Sequence, residues 1–179
     1  FRDNELEAKK LSEKDYEYIR TFIVEKGILE HDRVEIVFEG LDTFAKIYIN
    51  KMLLATTNNM HRTYVFDVKN YLFEGENEIH VVFEAPLQKA AEANERWPLW
   101  GTNAVTGFNH LRKSHCQFGW DWGPVLPDVG IWRPVYIQWF DDAKINDIYM
   151  TQIHEDGVVT LNSRFRFIPY KEGIFDIKC

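Results

Sequence analysis

Over most of its length the chain alternates apolar and polar residues with a period of two, the mark of β-strands that bury one face. Tyr16, Tyr18, Phe22 and Val24 recur on one side of residues 15–24, broken only by Arg20, with Glu17 and Thr21 on the other. Val34, Ile36 and Phe38 mark a second strand in Arg33–Glu39, and Ala45, Ile47 and Ile49 a third in Phe44–Asn50, closed by an Asn50-Lys51 turn signal. Met60–Val68 reads as a further strand, and Glu74-Gly75-Glu76-Asn77 as a turn into Glu78–Glu84, where Ile79, Val81 and Phe83 share a side. Val129–Phe140 follows, with Val135, Ile137 and Trp139 on one face; Pro134 near its start confines that part to a sheet edge or a bulge.

Three stretches break the period. Residues 1–14 are strongly charged, and Ser12-Glu13-Lys14-Asp15 resembles a capping box with no helical stripe after it, so a loop into the first strand is expected. Pro86 followed by Leu, Gln, Lys, Ala and Glu predicts one short helix near Leu87–Glu95, since proline suits a first helical position. Residues 97–113 then form an aperiodic excursion rich in Trp, Gly and Asn; a loop that long in a compact domain is usually functional or disordered, and two Trp argue against disorder.

Asp141-Asp142-Ala143-Lys144 is a polar break at which a domain boundary is expected. Beyond it Ile145–Ile153, the Glu155-Asp156-Gly157 turn and the run from Val159 to Phe167 predict a hairpin, and Gly173–Cys179 the start of another strand. Three strands do not close a sandwich by themselves. The expectation is therefore an all-β protein: an antiparallel β-sandwich over 1–140, then the first strands of a second β-domain over 141–179.

Composition narrows the function. With 179 residues, 45% of them apolar, the chain can bury a substantial core. A net charge of −7 and a pI near 5.4 exclude the basic footprint that nucleic acid or an anionic membrane surface requires, so neither is expected as a partner. No apolar run approaches the ~20 residues of a membrane-spanning helix. Cys116 and Cys179 are the two cysteines, without CxxC or Cys/His ligand spacing, so no disulfide framework, metal site or cofactor is expected; whether the two pair is left open. The chain starts at Phe1 without a charged-then-apolar leader, so any signal peptide is expected to lie outside it. It also contains no Asn-x-Ser/Thr acceptor, which suits a prokaryote-like, cytoplasmic setting.

Aromatic residues make up 15%, six of them Trp, and such residues serve both sandwich cores and carbohydrate sites. The densest cluster is Phe118-Gly119-Trp120-Asp121-Trp122-Gly123-Pro124, one carboxylate between two indoles, with glycines that let the backbone bend on both sides. A sugar pocket uses all three residues: indole faces pack on the C–H side of a pyranose and the carboxylate accepts from its hydroxyls. The alternative is that Trp120 and Trp122 anchor a core while Asp121 caps a turn.

Taken in order, Phe38-Glu39-Gly40-Leu41-Asp42-Thr43-Phe44-Ala45-Lys46-Ile47-Tyr48-Ile49-Asn50, Met60-His61-Arg62, Phe66-Asp67-Val68, Gly75-Glu76-Asn77, Arg112-Lys113, Phe118–Pro124 and Gly130-Ile131-Trp132-Arg133-Pro134-Val135 resemble the amino-terminal sugar-binding domain of glycoside hydrolase family 2. Arg112-Lys113 together with Phe118–Pro124 resembles its β-mannosidase branch. The resemblance spans about residues 1–140 and implies a jelly-roll, galactose-binding-like sandwich; residues 141–179 resemble the first strands of the immunoglobulin-like domain that follows in that family. Residues 1–7 resemble a segment reached there only after a first strand, so that strand is expected to be missing.

The resemblance implies that Asp121 bonds hydroxyls of the sugar beside the scissile bond and that Trp120 walls the same pocket. Arg112 either contacts the sugar or forms a bidentate pair that orients Asp121. Trp97 and Trp100 are expected to pack the long loop, and His110 and His115, lacking metal-ligand company, to be structural. A retaining glycosidase needs two carboxyl groups ~5–5.5 Å apart. Glu92 and Glu95 lie one helical turn apart, but on an ordinary charged face, so solvated surface is expected and no catalytic residue is assigned. The leading reading is a fragment of a β-mannosidase-like retaining exo-glycosidase. It would be inert by itself, and would complete a pocket for a mannoside or mannose-containing oligosaccharide with the catalytic barrel of its own polypeptide. Two alternatives are a free-standing carbohydrate-binding module and a structural sandwich for protein contact.

Overall fold

In the computed structural model, which describes residues 4–101 and 105–176, strands dominate as the alternation predicts. The order is α1 (Glu5–Lys9), β1 (Tyr16–Val24), β2 (Arg33–Phe38), β3 (Leu41–Asp42), β4 (Phe44–Ile49), β5 (Met52–Asn58), β6 (Tyr64–Asp67), β7 (Gly75–Phe83), α2 (Pro86–Arg96), β8 (Phe118–Trp120), β9 (Gly123–Val125), β10 (Gly130–Ile131), β11 (Val135–Phe140), β12 (Ala143–Glu155) and β13 (Val158–Pro169). Every ladder between these strands is antiparallel. Two sheets, ordered β1-β7-β4-β5 and β11-β2-β6, make an antiparallel β-sandwich of the jelly-roll type. Val34, Ile36 and Phe38 from one sheet meet Ile47, Ile49, Val81 and Phe83 from the other, all of them buried. They are the residues that the period of two turns inward.

Some expectations need correction. Residues 5–9 form a helical turn rather than loop, with Glu5 and Glu7 in the first turn, Lys9 in the last, and a Lys10–Glu7 ion pair of 2.7 Å. That charge order suits the helix dipole, and five residues are too few to show a stripe. β5 was not anticipated. Asn50 (φ 50°) and Lys51 (φ 68°) turn the chain straight back along β4, and β5 escapes the alternation because it lies at the sheet edge with both faces half open. β6 begins at Tyr64, not at Met60. Val129–Phe140 is two strands, broken at Trp132–Pro134; β11 then takes the edge of its sheet, where a residue without an N–H does least harm.

β12 and β13 form the expected hairpin, turned at Asp156-Gly157, with apolar residues such as Tyr149, Met150 and Leu161 exposed. Its base is tied to the sandwich by ion pairs Glu35–Lys144 and Asp32–Lys171 and by a hydrogen bond between His31 Nδ1 and Asp141, each of 2.7 Å. The strand expected over Gly173–Cys179 does not form in its described part, 173–176; residues 177–179 lie outside the described residues.

Candidate functional site

Between α2 and β10 the chain leaves the sandwich, and a second small core gathers beneath this excursion. Ala90 of α2, Val105, Leu111 and Phe118 are buried together, ringed by Phe44, Leu87, Phe108 and Val125. Phe108 sits 5.8 Å from Phe118 and edge-on at 5.0 Å from His115, ring centre to ring centre. Gly107 (φ +82°) lies so near α2 that an added Cβ would meet Ala90 O at 2.2 Å. An approach that close leaves no space for an indole between loop and helix. Trp97 and Trp100 are accordingly 70% and 86% exposed, so the expectation that they pack the loop fails, and Phe108, Leu111 and Phe118 do that instead.

The motif itself is a hairpin. β8 and β9 pair as Phe118↔Val125 and Trp120↔Gly123, which puts Asp121 and Trp122 at the two-residue tip. Phe118 roots the hairpin with no exposed surface, whereas Trp120 is 57% and Trp122 72% exposed. The two indoles are thus not core anchors, and the apolar anchor is the residue two positions earlier. Only one of the bracketing glycines adopts a left-handed backbone: Gly119, at φ +97°, where a Cβ would also stand 2.8 Å from Val125 Cγ2. Asp121 is exposed, and among the described residues no hydrogen bond engages its carboxylate.

Arg112 is exposed as well, but its backbone is fixed. A parallel bridge joins it to Asn59, and its carbonyl accepts from Met60 N–H at 2.9 Å. No ion pair links Arg112 to Asp121 among the described residues, so the bidentate arrangement is not formed in this chain.

Its neighbour Lys113 behaves oppositely. That side chain is buried, and its ammonium donates to the Asp42 carboxylate of β3 and to the Asp128 carbonyl, with Asp128 Oδ1 at 3.8 Å. Burial pushes the Lys113 ammonium below its ordinary pKa, against the opposing pull of Asp42 and Asp128. Sequence reasoning gave Lys113 no role, because a lysine beside an arginine in a loop carries no local sign of burial. Trp132 closes the same region: its Nε1 donates to Met60 O at 3.2 Å, its ring packs on Gly40, and Arg133 stacks over it at 4.2 Å.

The remaining candidates are ordinary. His115 pairs with Leu111 O at 3.3 Å, while His110 buries an Nε2 that has no partner among the described residues. No group of three metal-ligating side chains occurs among the described residues. Glu92 accepts from Gln88 (2.9 Å) and Lys89 (3.3 Å) on the solvated face of α2, as expected. Cys116 is exposed; its pairing with Cys179 concerns a residue outside those described. Chemically the tip offers an exposed carboxylate acceptor, flanked along the chain by two exposed indoles. A ligand site normally encloses most of its ligand's surface, which an exposed two-residue tip does not do by itself.

A family model described as "Glycosyl hydrolase 2 galactose-binding domain-like" matches residues 1–133. The beta-mannosidase of Capra hircus is 30% identical over 186 residues, covering 99% of this chain and 20% of that protein. Beta-mannosidase B of Emericella nidulans is 34% identical over 155 residues, covering 84% of this chain and 18% of that protein. This chain therefore spans about a fifth of the length of the curated relatives it matches. The crystal structure of a beta-D-mannosidase from Dictyoglomus thermophilum matches with a TM-score of 0.87 and 31% identity, over 93% of this chain and 21% of that one. A Bifidobacterium dentium beta-glucuronidase, 19% identical with a TM-score of 0.60 over 87% of this chain and 27% of that one, shares the fold alone. With all of the sandwich but β11, the second core and the Asp121 hairpin inside the matched residues, the chain belongs to the glycosyl hydrolase 2 galactose-binding domain-like family.

Proposed function

We propose that this chain is the sugar-binding domain of a β-mannosidase-like, retaining glycoside hydrolase, and that it presents Asp121, Trp120 and Arg112 to a terminal β-linked mannose. The observation that carries the reading is the step in similarity, from a TM-score of 0.87 and 31% identity with a beta-D-mannosidase to 0.60 and 19% with a beta-glucuronidase. The exposed tip supports it, because two indoles left in solvent beside an unpaired carboxylate need a second surface to become a pocket. In this reading the catalytic barrel of the same polypeptide supplies that surface together with the acid and nucleophile pair.

Residues 1–140 then form the sugar-binding sandwich and 141–179 begin a second β-domain, in keeping with a two-stranded hairpin whose apolar residues remain exposed. The strand that comes first in the resembled domain is assigned to the cleft of about 850 Å3 between the unpaired edges of β1 and β11, lined by Tyr18, Phe22, Ile36, Val81, Ile131 and Val135.

The test is turnover by the full-length polypeptide on p-nitrophenyl β-mannoside against the β-glucoside and β-glucuronide, beside this chain alone on all three. Preference for the mannoside by the full-length protein and no turnover by this chain are expected. Preference for the glucuronide, or mannose binding by the isolated chain as tight as a dedicated binding module shows, overturns the reading.

A further inference from the structure

Every residue proposed to meet sugar lies on the excursion between α2 and β10, and a single side chain holds both ends of its hairpin. Lys113 precedes Phe118 and Asp128 follows Val125. The Lys113 side chain is 0% exposed, and its ammonium donates at once to the Asp42 carboxylate on β3 and to the Asp128 carbonyl. Asp42 also accepts from the Thr43 hydroxyl, and its backbone pairs with Gly130 of β10, so the receiving end belongs to the sandwich frame. The outgoing leg, the returning leg and the frame thus converge on one nitrogen.

For stability alone a buried ion pair has little advantage over apolar residues of the same volume, because the cost of desolvating two charges offsets their attraction. What it adds is direction. The Phe118 cluster holds the hairpin down by contacts that tolerate sliding, whereas two hydrogen-bonded acceptors on one buried ammonium, the Asp42 carboxylate and the Asp128 carbonyl, tolerate little.

We propose that Lys113 is the positioning residue for Asp121, clamping both legs of the β8–β9 hairpin to β3 so that the carboxylate at the tip stands at a set height above the sandwich. This rests on the reading of Asp121 as a sugar contact. The clamp acts through placement: Lys113 is buried, Asp121 is exposed, and the two are joined by the hairpin rather than by a bond.

The test is a double-mutant cycle in the full-length polypeptide, with kcat and KM on p-nitrophenyl β-mannoside, thermal unfolding, and hydrogen exchange of the 118–125 amides. Lys113→Met lowers kcat/KM about 10- to 100-fold, the scale of a misplacement near 1 Å. In the Asp121→Ala background the same substitution costs less than about twofold, since no carboxylate is left to misplace. Asp42→Asn, which keeps an acceptor for the ammonium, moves kinetics in the same direction and carries the cycle if Lys113→Met does not fold. Exchange of the 118–125 amides rises about tenfold or more in either variant, a readout that needs no turnover.

A full kinetic effect of Lys113→Met in the Asp121→Ala background overturns the inference, as does a lowered melting point with wild-type kcat/KM and exchange. An impaired Asp121→Ala beside an unimpaired Lys113→Met sinks the clamp alone. Wild-type kinetics in Asp121→Ala remove the sugar-contact reading and the clamp together.

Discussion

Phe118→Ala separates what holds the candidate site from what the site presents. The ring has no exposed surface and shares its cluster with three other buried residues, Ala90, Val105 and Leu111. Truncating a buried Phe to Ala costs ~3–5 kcal/mol, the spread depending on how far the surroundings collapse into the cavity. Here the ring of neighbours is only partly buried, Phe108 and Val125 among them, so relaxation is easy and the lower end, about 3 kcal/mol, is expected. For a chain of this size that lowers the melting point by about 6–12 °C. Phe118→Leu, which restores most of the volume, costs less than about 1.5 kcal/mol.

Urea unfolding followed by Trp fluorescence reads the loss as a shift of the midpoint at unchanged slope. If Phe118→Ala loses less than about 1 kcal/mol at unchanged slope, the second core does not hold the hairpin, and the account of why Asp121 stands where it does is wrong.

Other consequences can be checked in the same way. Asp121→Ala leaves stability within about 0.5 kcal/mol, because an exposed carboxylate without a hydrogen bond holds nothing; in the full-length protein it lowers kcat/KM roughly 10- to 150-fold, the scale of losing a hydrogen bond to a charged group, and a lowered melting point with intact kinetics would reverse both assignments. Gly119→Ala, at φ +97° and 2.8 Å from Val125 Cγ2, destabilises by about 1–2 kcal/mol and speeds hydrogen exchange at Trp120; unchanged exchange contradicts the geometry. For Glu35, burial raises the pKa, but bonds from Lys144 and Gln138 outweigh it and hold the carboxyl below its ordinary 4.5. A depressed carboxyl stabilises above that ordinary value and loses its contribution as pH falls through the folded one. Glu35→Gln therefore costs about 1–2 kcal/mol at pH 7, and the gap to wild type narrows below about pH 4.5; a gap that widens in acid would falsify the sign.

Much of the sandwich was legible in the sequence, and the exceptions are informative. β4 and β7 bury one face against the opposite sheet, so selection for that face writes a period of two into the chain. β5 left no such trace, because an edge strand with both faces half open has no face to conceal. The Trp120-Asp121-Trp122 stretch was recognisable as unusual from residue types alone, but whether its indoles anchor a core or stand in solvent was not. That depends on the hairpin tip projecting past the cluster that roots Phe118.

By itself the sequence determined the strands with a buried face, such as β4 and β7, the turns at Asn50-Lys51 and Glu155-Asp156-Gly157, a helix near Leu87–Glu95 and the resemblance that the family match bears out. Each is a local property: pleat, backbone sterics and helix propensity act between residues a few positions apart. Tertiary structure alone decided that Lys113 is buried while Arg112 beside it is exposed. The partners that enclose Lys113 are Asp42, 71 residues away, and Asp128, 15 residues away, and a loop residue's burial is set by what folds against it, which no neighbouring position encodes.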